Sequence, residues 1–141
     1  MTDSTRITSL RYALIATGVI FIAGLETLVQ IWPSGWHWGM GHSHYWNMIV
    51  VVYATLGIFL IRASRDPLGN LSLIWFTVWS SVAHSLAMAL SALGDTAERG
   101  HLIGDVPALL IIAASLTILT QRACQTEITT LGVRWASRDA A

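Results

Sequence analysis

The residues of this sequence best suited to acid–base or metal chemistry are the histidines His37, His42, His44, His84 and His101, together with Glu26 and Asp105. Imidazole and carboxylate are the ligands that Zn(II), Cu(II) and Fe(II) accept, and the same groups move protons when they are desolvated against one another. The stretch "HWGMGHSH" adds the thioether of Met40 to His37, His42 and His44, a mixture that leans toward copper. Lysine is absent, so no Schiff base forms on a lysine side chain, and the lone Cys124 rules out an internal disulfide or a CxxC motif.

These groups sit in a strongly apolar chain. Of 141 residues, 54% are hydrophobic and 11% charged, and the mean hydropathy of +0.59 is that of a membrane protein rather than a water-soluble domain. The formal charge is zero, which leaves no basic field for nucleic acid. Apolar runs at about 10–32, 45–61, 71–93 and 102–120 each approach the ~20 residues that a helix needs to cross a bilayer. The expected fold is all-α, one domain over residues 1–141, a bundle of four transmembrane helices with the lipid bilayer as its main partner. Arg6 and Arg11 before the first run resemble the start of a signal peptide, but the run is too long for one and contains Glu26, so it reads as a retained helix.

Arginine placement orients the bundle. Arg6, Arg11, Arg62, Arg65, Arg122, Arg134 and Arg138 all fall at one end, and only Arg99 at the other. Positive residues are retained on the cytoplasmic side, so both termini are expected there, in a multi-pass membrane protein. The loops at 33–44 and 94–100 then face outward. Asn70 is placed to cap the third helix and Asp105 the fourth, and the polar tail from Gln121 reads as a segment on the inner membrane surface.

Helical rise gives depth. His84 lies nine residues before Leu93, ~13 Å below the outer boundary, and Glu26, six residues before Trp32, lies ~9 Å below it. His101 and Asp105, one turn apart, belong to the outer start of the last helix, and His44 and Asn47 to that of the second. Every helix thus brings a polar group to the outer half. A charge at such depth costs on the order of 2.5–3.5 kcal/mol, so Glu26 needs a partner, and His84 is the nearest in depth. Trp32, Trp36 and Trp38 are explained by the interfacial preference of indole, and Trp75 and Trp79 by packing.

Three uses of this set follow. One is an outward-facing metal site, for copper or zinc, drawn from His42, His44, His84, His101 and Asp105. The second is metal-free acid–base catalysis by Glu26 and His84 on a small lipophilic substrate held by Tyr45, Trp46, Asn47 and Tyr53. The third is an accessory role, as a homo-oligomer or as a subunit of a larger membrane complex.

The stretches "MIVVVYATLGIFLIRASRDPL", "SLIWFTVWSSVAH" and "ERGHLIGDVPALL" resemble a family of small four-helix bacterial inner-membrane proteins, a domain of unknown function. The resemblance runs from about Arg11 to Leu119. It implies the fold and the location and transfers no site residue.

Reporter fusions after Gly41 and Gly94 should register outside the cytoplasm, and one after Gly69 inside. The reverse pattern would invert the bundle and place the histidine loop within the cell.

Overall fold

The structure is a computed structural model that describes residues 3–31 and 44–139. It is all-α, with no strand among the described residues. α1 (Asp3–Val19) runs through a π-helical turn (Ile20–Gly24) into α2 (Leu25–Ile31); α3 (His44–Ala63), α4 (Leu71–Gly94) and α5 (Asp105–Asp139) follow. Only helices satisfy every backbone N–H and C=O internally, which is what a bilayer demands of a chain this apolar.

Three stretches are long and apolar enough to cross a membrane: Thr5–Gly24, Leu68–Gly94 and Arg99–Gln125. A shorter apolar helix, Asn47–Ala63, accompanies them. Only 28%, 33% and 28% of the three windows is buried, so most of their apolar surface faces outward, where Ile111 (65% exposed) and Trp79 (67%) meet the surroundings. Such a surface suits hydrocarbon and not water. This is a membrane protein.

The helices extend beyond their apolar runs. α1 begins at Asp3, well before Leu10, and α5 continues without a break to Asp139. The residues from Gln121 onward thus prolong a helix rather than start a separate surface segment. A helix of 35 residues is ~52 Å long, well over the thickness of the hydrocarbon, so its polar end projects past it.

Packing forms an incomplete ring. α4 lies along α5, α5 along α1 and α1 along α3, while α3 and α4 barely touch. Leu10, Leu14, Phe21, Leu60, Ile74, Val78, Leu109 and Leu116 fill the centre. At the arginine-rich end, Arg11 donates from Nη2 to the carbonyl of Arg65 at 3.2 Å, joining α1 to the turn between α3 and α4. In that turn Asn70 precedes α4, but its side chain does not cap the helix. Its amide instead donates to the Asp66 carbonyl at 2.8 Å, because Asp66 organises the reversal and also accepts from the Gly69 N–H.

The tightest crossing joins α1 to α3. A Cβ on Gly18 would stand 2.6 Å from the Gly57 carbonyl oxygen, and one on Gly57 2.5 Å from that of Gly18. Both obstacles are backbone, so the helices would have to separate. Gly18→Ala and Gly57→Ala should each lower unfolding stability in detergent by ~1–3 kcal/mol, the usual cost of overpacking. Gly94→Ala, with nothing within 4 Å, should leave the melting temperature nearly unchanged.

Candidate functional site

The geometry of the α4–α5 connection creates the site. After Gly94 the chain turns back and descends beside α4 as a 3-10 segment, Thr96–Leu102, before α5 begins at Asp105. The Ser85 hydroxyl donates to the Val106 carbonyl at 3.3 Å, so the first turn of α5 stands level with Ser85. Ser85 is nine residues from Gly94, which puts this level ~14 Å below the end of α4. His101 and Asp105 are therefore not interfacial residues at an outer rim. They are carried down into the bundle.

There they form a pair. His101 Nδ1 and Asp105 Oδ2 are 2.9 Å apart, and relative exposure is 0% for His101 and 6% for Asp105. The four-residue spacing brings the two side chains together across one turn. Asp105 opens α5, where the helix dipole favours a negative group. Its second oxygen, Oδ1, is buried with no hydrogen-bond partner among the described residues. A buried carboxylate oxygen left open is uncommon, because each unmet acceptor costs about 1–3 kcal/mol.

His84 and Tyr53 complete the cluster. The Tyr53 ring meets His84 edge-on, with centroids 5.8 Å apart at 86°, and Phe21 meets Tyr53 in the same manner at 4.9 Å and 85°. Phe21 comes from the π-helical turn, a feature frequent at functional sites. Both Tyr53 and His84 lie within electrostatic reach of Asp105, and His84 also within that of His101. Edge-to-face rings favour this geometry by roughly 0.5–1.5 kcal/mol each beyond area burial, enough to hold the histidine and tyrosine in place.

The expected site residues divide accordingly. His84, His101, Asp105 and Tyr53 come together. Glu26 does not join them: it is exposed in the first turn of α2, and no hydrogen bond or ion pair links it to His84 among the described residues. Shared depth put them level, but rotation about the helix axis points Glu26 outward. Asn47 is likewise exposed. His37, Met40 and His42 lie outside the described residues, as do the side chains of His44, Tyr45 and Trp46, whose backbone opens α3. Among the described residues no three His, Cys, Asp or Glu side chains converge to hold a metal. Phe21 and Ser85 were not anticipated. The four-residue spacing of Thr77, Ser81 and Ser85, all buried on α4, was the available signal for the second.

Over residues 4–137 the chain matches the family described as "Family of unknown function (DUF6632)". The chain belongs to this family. No curated protein and no solved structure matches it. In this DUF6632 protein the match takes in all of the clustered residues, Phe21, Tyr53, His84, Ser85, His101 and Asp105.

A double-mutant cycle should separate the pairs. His101→Ala and Asp105→Ala should show a coupling of about 1–2 kcal/mol in thermal unfolding, at the upper end for polar contacts in membranes. Glu26→Ala and His84→Ala should combine additively. Additive behaviour of His101 and Asp105 would mean that their hydrogen bond contributes nothing to the fold.

Proposed function

We propose that this protein, seated in a bacterial inner membrane with both termini cytoplasmic, carries a metal-free acid–base site acting on a small lipophilic substrate. The observation that supports it best is the buried His101–Asp105 pair beside His84 and Tyr53, since ionisable groups within a membrane bundle are costly and mark proton-handling or ligand sites by default.

Roles follow from position. His84 and Tyr53 are half-buried and keep accessible surface, so they are the groups that exchange a proton with substrate. His84 takes a proton from a substrate C–H and returns it at another carbon, an isomerisation that needs no oxidant. Asp105, within electrostatic reach of His84, offsets the positive charge that His84 then carries. His101 holds Asp105 in place through the 2.9 Å contact between Nδ1 and Oδ2. With the carboxylate ionised, Nδ1–H donates to Oδ2. A copper or zinc site would instead require further ligands such as His42 and His44, since among the described residues no three His, Cys, Asp or Glu side chains are placed to hold a metal.

The test uses solvent deuterium. Protein in nanodiscs, incubated in D2O with a membrane-lipid extract, should place carbon-bound deuterium in one lipophilic species resolved by mass spectrometry. His84→Gln and Asp105→Asn should reduce that labelling by at least tenfold while leaving the helical content intact. Labelling equal to wild type in both variants would reject the acid–base reading, and stoichiometric copper or zinc in protein purified without added metal would favour the other.

A further inference from the structure

The ring of helices is loosest on one side. α3 and α4 barely touch, although every other neighbouring pair packs closely, and the described ring contact that spans this seam is Tyr53 on α3 against His84 on α4. Within electrostatic reach of both rings is Asp105, whose Oδ1 is buried and has no hydrogen-bond partner among the described residues. An apolar seam of this kind, facing hydrocarbon, would ordinarily be filled by lipid chains or by another helix. Neither an acyl chain nor an apolar helix face supplies a hydrogen bond to a carboxylate oxygen, and the open acceptor is the part of the site that an occupant has to satisfy.

We propose that the seam between α3 and α4 admits, laterally from the membrane, a lipid-soluble molecule bearing a hydroxyl group, whose O–H donates to Asp105 Oδ1 past Tyr53 and His84. This rests on the acid–base reading and names the substrate class for that site. Both parts of such a molecule are matched: its apolar body lies against the apolar faces of α3 and α4, and its one donor meets the unpartnered Oδ1. A hydrocarbon without a donor leaves Oδ1 unmet, and an anionic headgroup would face a carboxylate. Ile49, one turn from Tyr53 on α3, and Ala87, one turn from His84 on α4, are exposed and place no charge beside the two rings.

The probe is a dodecan-1-ol carrying a diazirine, photolysed with wild-type protein in nanodiscs and mapped by peptide mass spectrometry. Labelling should fall on α3 and α4 near Tyr53 and His84. Unlabelled dodecan-1-ol should compete at a concentration at least tenfold lower than dodecyl methyl ether, which has the same chain and no donor. Asp105→Leu should abolish that preference, and the alcohol–ether comparison on wild-type protein decides the matter even if this variant fails to fold. Equal competition by alcohol and ether would overturn the proposal, as would labelling spread over lipid-facing positions such as Ile111. Cross-links joining two copies of the chain across the seam would assign it to an oligomer contact and overturn it as well. Failure here is distinguishable from failure of the acid–base reading. Deuterium labelling that depends on Asp105 without a hydroxyl preference would keep the chemistry and reject the substrate class; a hydroxyl preference without labelling would keep the ligand and reject the chemistry.

Discussion

An ionisable side chain lowered into an apolar bundle must be partnered, and in this protein that requirement is met by the 2.9 Å hydrogen bond between His101 and Asp105. The rest of the site is arranged around it. Because the two residues are one turn apart, the bond locks the 3-10 segment Thr96–Leu102 onto the start of α5. Because Ser85 donates to the Val106 carbonyl, the locked turn is held deep against α4 rather than left at the membrane boundary. The folded connection carries two titratable groups to a level that a simple helix–loop–helix hairpin would have left apolar.

The bundle's tight side and its open side are complementary. At Gly18 and Gly57 the absence of side chains lets α1 and α3 approach until backbone nearly meets backbone, which favours dispersion and weak Cα–H···O contacts, the forces that associate helices where the hydrophobic effect is missing. Among the described residues α3 and α4 come together far less closely. There, the aromatic contacts of Phe21, Tyr53 and His84 bridge α1's π-helical turn, α3 and α4 through ring edges. Rings spanning a gap can hold polar groups in register while leaving surface accessible, whereas closely packed backbones cannot. Close backbone packing is concentrated on one side of the molecule and the clustered titratable side chains on the other.

Much of this protein was legible in its residues. Apolar runs of spanning length dictate helices, because in hydrocarbon no other open structure satisfies the backbone. Depth followed from the constant rise per residue for His84, but not for His101 and Asp105, which lie deeper than the outer start of the last helix because the connection before them folds back. The spacing of His101 and Asp105 showed that they could meet. Glu26 marks the limit: its distance along the helix was right and its direction was not, because depth is set by sequence position while azimuth is set by which face packs. The buried residues Leu10, Leu14, Thr17 and Phe21 define that face, and Glu26 lies off it.

Helix content and the membrane setting were determined by the sequence alone, through local hydrogen bonding and the apolar length of each run. Which of those groups meet was decided only in the tertiary structure. The descent of the α4–α5 connection buries His101 and Asp105, the near-contact of Gly18 and Gly57 draws α3 toward α1, and the weakly packed α3–α4 seam brings Tyr53 to His84. Each of these depends on the rotation and separation of helices distant in sequence, quantities set by the packing of many side chains at once and carried by no single stretch of the chain.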